Sequence, residues 1–345
     1  MVKLKIYKKQ IYALIIFSTL ALLYIIRTTI GYYTPDEILF FSGKLFNEEQ
    51  YSNAALKYKV ISKYFEYIYN QGAYFLLLIN SILVSIVYSS FYKFQLKYHI
   101  LKKNYQVVFF FVMPTVLFYS VSYLRDIYLY LLVIMLMIYM YEEKKLKVVI
   151  IIFIMYFLRP ELSIIFLVAI ILNTVKINFF IVFTFMTLGI IVFLKIDYLY
   201  DFYYNYSFLF EKRSLGLGLL QLSPIRENAI FAVLSNLVLF HMPYWVIFIQ
   251  ETYSMFDLFF LLDSIIMSVI FLNLIYGFSI QRYKKDSFYR FLILVLLLSS
   301  IYAFIQSTPS TASRHKLFFI PFLITASLYN KKKQTFNILK NKGKD

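Results

Sequence analysis

The sequence contains no cysteine. Disulfides, zinc–thiolate centres and cysteine nucleophiles are therefore excluded. Charge is scarce as well. Asp, Glu, Lys and Arg make up 15% of the 345 residues, against about 25% in a soluble domain. That shortage excludes an ordinary cytosolic globular protein. The 61% of hydrophobic residues excludes a disordered chain, which cannot keep so much apolar surface in water. Only three histidines occur, His99, His241 and His315, and His241 has no second ligand at metal spacing. Ser/Gly/Pro-rich linkers and internal repeats are absent, so the sequence predicts one domain over residues 1–345. No Gly-rich phosphate loop and no nucleophile elbow is present, which argues against ATP hydrolysis by this chain alone.

What the sequence does have is apolar length. Against a crossing requirement of about 20 residues, clear apolar stretches run over 11–30, 72–92, 105–123, 127–141, 178–195, 257–280, 289–306 and 316–330. The stretch 148–173 is interrupted by Arg159-Pro160-Glu161. A charged triplet at mid-bilayer is costly, and the residue before a proline avoids the α region. The stretch therefore reads as two short helices, 148–158 and 162–173, each rising only roughly 17 Å. The first stretch reads as a retained signal anchor, because its apolar part is too long for a cleaved signal and no small-residue site follows. The expected fold is all-α: a polytopic integral membrane protein of about ten transmembrane helices, two of them short.

Thirty-five Lys and Arg against 18 Asp and Glu give a net charge of +17. Nucleic acid is not the implied partner, because most lysines sit in short clusters between apolar stretches. Lys3, Lys5, Lys8 and Lys9 precede the first stretch; Lys93, Lys97, Lys102 and Lys103 follow the second. Lys144, Lys145 and Lys147, then Lys176, then Arg282, Lys284 and Lys285, and finally Lys331–Lys333 complete the set. By the positive-inside rule all are cytoplasmic if about ten segments cross and both termini are inside. The region 229–250 is then an interfacial or re-entrant helix. Residues 31–71 form a first extracytoplasmic loop, 196–256 a second, and 331–345 a basic cytoplasmic tail. An ordinary eleventh crossing at 229–250 is the alternative, and it forces the Arg282 cluster outside.

In this topology Asp36, Glu37, Arg125, Asp126, Arg159, Glu161, Arg226, Arg314 and His315 all map to the outer face, several at helix ends. Ionisable groups at membrane depth have a partner or a function, so the pattern implies a polar cavity opening outward. Each group also has a structural reading. Asp36 and Glu37, after Thr34-Pro35, suit the first turn of a helix. Functionally, Asp36 serves as a general base on a sugar hydroxyl, and Glu37 positions it or helps hold a divalent cation. Arg125-Asp126 reads as a surface ion pair, or as a phosphate-binding arginine oriented by its neighbour. Arg159 and Glu161 repeat that theme below the membrane surface. Ser313-Arg314-His315-Lys316 reads as interfacial snorkelling, or as a second anion-binding group with His315 available for proton transfer. Asp263 lies inside an apolar helix and has no partner legible in the sequence. It fits a structural hydrogen bond or a proton path.

Pro35-Asp36-Glu37 after the first helix, Tyr74–Ser81 opening the second, Ser122-Tyr-Leu-Arg-Asp126, Leu158-Arg-Pro-Glu161 and Arg314–Pro321 before the last together resemble polytopic lipid-sugar-dependent glycosyltransferases. They are most like bacterial O-antigen and capsule repeat-unit polymerases. The motifs are short, and the sequence leads us to expect no large extracytoplasmic domain of the kind that protein mannosyltransferases and oligosaccharyl transferases carry. The resemblance implies a plasma (inner) membrane enzyme of lipopolysaccharide or capsule biosynthesis. Its donor is a polyprenyl-(pyro)phosphate-linked saccharide and its acceptor a glycan; membrane lipids and a chain-length regulator are the other partners. It implies that Arg125, Arg159 and Arg314 neutralise the phosphate, that Asp36 deprotonates the acceptor, and that one displacement inverts the anomeric centre. The alternatives are a single-sugar transferase using a polyprenyl-phosphate carrier, and a lipid-linked oligosaccharide flippase or other transporter.

Overall fold

A computed structural model of the chain describes residues 2–30, 63–64, 66–122, 125–195, 255–305 and 316–329. Over these residues the protein is all-α, with no β-strand. The helices are α1 (Val2–Ile30), α2 (Ala73–Tyr98), α3 (Phe109–Val112), α4 (Pro114–Ser120), α5 (Asp126–Tyr141), α6 (Lys145–Leu158), α7 (Pro160–Thr174), α8 (Phe179–Lys195), α9 (Met255–Gly277), α10 (Ile280–Lys285), α11 (Ser287–Ile305) and α12 (Ile320–Leu328). A 3-10 turn over Asn104–Val108 precedes α3. One helix, over Tyr74–Tyr98, is by itself long and apolar enough to cross a membrane among the described residues. Shorter apolar helices run over Ile15–Thr29, Asp126–Tyr141, Pro160–Thr174, Ile265–Gly277 and Ser287–Ser299. The chain divides into two compact units, one built on Met1–Pro160 and the other on Glu161–Asn330.

The stretch 148–173 breaks where its charges and proline require. Helix α6 ends at Leu158, Arg159 is extended at φ −154° and ψ 89°, and Pro160 opens α7. The single helix expected over 105–123 is instead the 3-10 turn, α3 and α4 in succession. Met113 takes φ −59° and ψ 132° ahead of Pro114, because the proline ring crowds an α-region neighbour. Pro114 also has no N–H for the carbonyl four residues back. That carbonyl, on Phe110, accepts a hydrogen bond from the Tyr130 hydroxyl of α5 instead. Both residues are fully buried, so the bond meets a group that water cannot reach. The last apolar stretch is likewise shortened. Residues 317–319 form a turn, and α12 starts at Ile320 with Pro321 in its first turn, where a missing N–H costs nothing.

In the first unit α5 and α6 form an antiparallel hairpin closed by Glu143 at φ +55°. The end of this unit that carries the hairpin turn is basic and aromatic. Phe94, Tyr98 and Tyr141 pack edge to face or tilted at 4.9–5.3 Å, and Lys144 and Lys147 lie over the Tyr139 ring. Glu142 beside Lys144 holds that ammonium above its usual value through a side-chain hydrogen bond.

The second unit is stitched by polar side chains at one end. Arg290 Nε donates to Asn173 Oδ1 at 2.9 Å, and Asn173 Nδ2 donates to Ser287 Oγ at 3.2 Å. Tyr329 donates to Asp286 Oδ2 at 2.8 Å, while the other oxygen of Asp286 accepts from the first amides of α11. Helices α9 and α12 run parallel, since Asp263 meets Lys316 and, further along both, Asn273 meets Ser327.

The helices turn apolar faces outward. On α6, Leu146, Val149, Phe153 and Tyr156 are all more than half exposed. On α9, Leu262, Ile265, Val269, Leu272 and Tyr276 form a stripe at helical spacing, each at least 50% exposed, whereas Asp263 on the same helix is 1% exposed.

Candidate functional site

The site lies at the end of the first unit opposite the hairpin turn. Tyr24 of α1, Ile68, Phe75, Leu76 and Ile79 around the start of α2, Tyr128 of α5 and Leu158 of α6 pack in one apolar cluster. A second cluster adds Leu20, Leu77 and Val121. The last turns of α1 and α6, the first turns of α2 and α5 and the turn after α4 therefore meet at one end of the unit. Tyr64 reaches Tyr128 there, hydroxyl to hydroxyl at 3.3 Å.

Three arginines converge on this end, and two of them close helix C-termini. The last carbonyls of an α-helix have no partner within it and carry partial negative charge. Arg125 Nη1 donates to the Leu158 carbonyl, the last of α6, at 2.8 Å. Arg27 Nη1 donates to the Val121 carbonyl at 2.8 Å and to Ser122 Oγ at 3.0 Å, just past α4. Its guanidinium stands 4.9 Å from the centre of the Phe118 ring, within cation–π range. Asn80 Nδ2 donates to the Ser120 carbonyl at 2.8 Å.

Asp126 opens α5, where a carboxylate suits the positive end of the helix. Its Oδ1 lies 3.4 Å from Arg159 Nη1. Asp126 is fully buried and Arg159 is 7% exposed. The Arg159 amide closes the last turn of α6 on the Met155 carbonyl. Its side chain therefore leaves the negative end of one helix for the positive end of its antiparallel neighbour, and opposite charges meet opposite dipoles.

Of the residues expected from sequence to form the site, Arg125, Asp126 and Arg159 are brought together. Glu161 is exposed in the first turn of α7 in the second unit. Asp36, Glu37, Arg226, Arg314 and His315 lie outside the described residues, as do His241 and the region 229–250. Lys316 departs from the snorkelling reading of its motif. It is 1% exposed, and its Nζ lies 3.5 Å from Asp263 Oδ2. Asp263 thus has a partner that sequence reasoning did not find. Arg27 was also missed; a lone basic residue one turn from a helix end has no sequence signal beyond its type. Among the described residues no group of three or more His, Asp or Glu side chains is close enough to hold a metal ion. Comparison with protein-family models, with curated proteins and with solved structures finds no match to this chain.

Proposed function

We propose that this chain is a polytopic membrane glycosyltransferase. It draws on polyprenyl-(pyro)phosphate-linked saccharide at the extracytoplasmic face of a bacterial plasma membrane and polymerises O-antigen or capsule repeat units. The outward apolar stripes of α6 and α9 support the membrane setting. Apolar faces of that extent are unfavourable in water and neutral against lipid tails, while the charges turn inward. The broken segments fit short helices, and about ten crossings with both termini inside remain the preferred topology.

One observation carries the chemistry. Three guanidiniums, Arg27, Arg125 and Arg159, are gathered in buried or half-buried positions at one end of the first unit, with Asp126 beside Arg159. Arginines gathered in an apolar setting suit an anionic ligand. Phosphate matches arginine through its planar, forked donors. Arg125 and Arg159 hold the carrier phosphate in this reading, and Arg314 and His315 are kept as a second anion-binding group. Stabilising the departing phosphate is the electrostatic part of the catalysis. Asp36, six residues beyond the end of α1, takes the proton of the acceptor hydroxyl, and Glu37 positions it or helps hold a divalent cation. A single displacement at the anomeric carbon follows.

The test is a gel of cell-surface polysaccharide from a strain lacking the gene and from its complemented parent. Collapse of the ladder to one repeat on the lipid anchor is the expected result. Loss of every repeat, or a shift of each by one sugar, assigns the chain to assembly of the unit instead. An unchanged ladder overturns the proposal. A second reading, a lipid-linked oligosaccharide flippase, is favoured by the ion pair buried within the second unit, Asp263–Lys316. It predicts loss of every repeat.

A further inference from the structure

The end of the first unit that carries the hairpin turn presents four exposed lysines. Lys97 stands on the last turn of α2, and Lys144, Lys145 and Lys147 stand at the start of α6. Three of them lie against tyrosine rings. Lys97 Nζ is 4.7 Å from the centre of the Tyr98 ring, and the Nζ atoms of Lys144 and Lys147 are 5.7 and 4.9 Å from that of Tyr139. The two groups form one patch. Tyr98 packs on Tyr141 at 4.9 Å, and Lys97 is within electrostatic reach of both Glu142 and Lys144. Glu142 pairs with Lys144 at 2.5 Å; among the described residues no acid pairs with Lys97, Lys145 or Lys147. Four lysines against Glu142 and Glu143 leave the patch positive.

Helix stability does not account for these lysines. Lys145 and Lys147 lie in the first turn of α6, the positive end of the helix, where cations are unfavourable. An anion beside them relieves both that repulsion and their own. The rings also hold the ammoniums in place, so less side-chain freedom is lost when an anion arrives.

The charges adjoin an apolar surface. Leu146, between Lys145 and Lys147 in sequence, is 74% exposed, and Val149, Ile150 and Phe153 continue along α6 at 49–66%. Leu146 and Val149, like Lys147 and Ile150, are neighbours at i and i+3. A soluble anion would engage the ammoniums alone. An amphiphile with an anionic headgroup engages both parts of the surface.

We propose that this patch binds an acidic phospholipid of the leaflet it faces, its phosphate among Lys97, Lys144 and Lys147 and an acyl chain along Leu146–Phe153. Basic clusters at the ends of membrane helices recognise anionic headgroups through this combination of charge and position. The inference rests on the membrane setting proposed above and not on glycosyl transfer, so it stands or falls separately from the polysaccharide ladder.

The experiment titrates the full chain, delipidated in detergent, with phosphatidylglycerol and phosphatidylcholine of the same acyl chains, and reads bound lipid by native mass spectrometry. The unmodified chain is expected to prefer phosphatidylglycerol at least fivefold. In K97Q/K144Q/K147Q the preference should fall to within twofold of none, while K97R/K144R/K147R, which keeps the charges, should retain it. The control K176Q/K284Q/K285Q, in the second unit, should retain it as well. No preference in the unmodified chain, or an undiminished one in the glutamine variant, overturns the proposal and leaves the lysines as determinants of topology alone. An equal fall in the control overturns it in favour of net charge. Displacement of the lipid by glycerol phosphate at equal concentration assigns the patch to soluble anions and also overturns it.

Discussion

Asp126 and Arg159 meet at 3.4 Å across 33 residues of sequence, and the residues just before them, Arg125 and Leu158, meet at 2.8 Å. The start of α5 and the end of α6 are thus held by two adjacent bonds, one ionic and one from side chain to backbone. The clasp closes the open end of a hairpin whose other end is a three-residue turn.

Breaking the ionic half should be costly to stability. Arg159→Met leaves a buried carboxylate without its cation, and Asp126→Asn leaves the cation. Each is expected to destabilise by about 3–5 kcal/mol. The double variant should lose less than the sum, because neither charge is stranded. Thermal unfolding of the detergent-solubilised chain measures the coupling; strictly additive losses would show that the pair does not interact.

Arg159→Lys separates charge from shape. Lysine keeps the positive charge but lacks the planar fork. The expected outcome is a stably inserted protein with a collapsed polysaccharide ladder. Asp36→Asn should likewise insert normally and lose activity, and a fully active Asp36→Asn protein would remove Asp36 as the base.

At Arg27 two acceptors and an aromatic face share one guanidinium. Arg27→Met should cost about 1.5–3 kcal/mol, the range for a hydrogen bond to a charged group. Arg27→Lys should recover only part of that, because an ammonium cannot serve Val121, Ser122 and the Phe118 ring together. Melting temperatures of the three proteins order the outcome.

The Tyr130–Phe110 bond makes a cycle with Pro114. Tyr130→Phe orphans the Phe110 carbonyl, at about 1–3 kcal/mol. In Pro114→Ala/Tyr130→Phe the new alanine amide can bond that carbonyl within a continuous helix. The double variant should therefore be closer to the parent protein than Tyr130→Phe alone. If it is less stable than both single variants, the account of the break is wrong.

The absence of cysteine permits a direct test of topology, because any thiol introduced is the only one. Lys63 and Lys144 stand at opposite ends of the first unit, both exposed. A membrane-impermeant maleimide should label Lys63→Cys in intact cells and Lys144→Cys only after lysis. The reverse pattern would invert the topology.

Local rules made part of this legible in the sequence. The break at Arg159 could be read because charge and proline coincide inside an apolar stretch. The break at Met113-Pro114 was less legible, because proline stands there without a charge, and a lone proline in an apolar stretch also occurs in helices that kink and continue. Arg125, Asp126 and Arg159 were legible as outliers in apolar surroundings. Which of them bonds which was not, since the pairing is set by the packing of α5 on α6. Lys316 was hidden for the same reason: a lysine before an apolar helix looks like an interfacial anchor until a partner 53 residues earlier in the sequence is brought beside it.

Tyr130 gives the bend at Met113 a mechanical character. A helix break with an unmet carbonyl is a joint that can open, since straightening or further bending trades one poor arrangement for another. Here the carbonyl is fastened to a neighbouring helix, so the bend can change only if α5 moves with it. Residues 109–120 are therefore a rigid elbow, and its rigidity is borrowed from α5, the helix whose first residue is Asp126. A substitution that loosens the elbow should be felt about 15 Å away, at the arginines, before it is felt as unfolding.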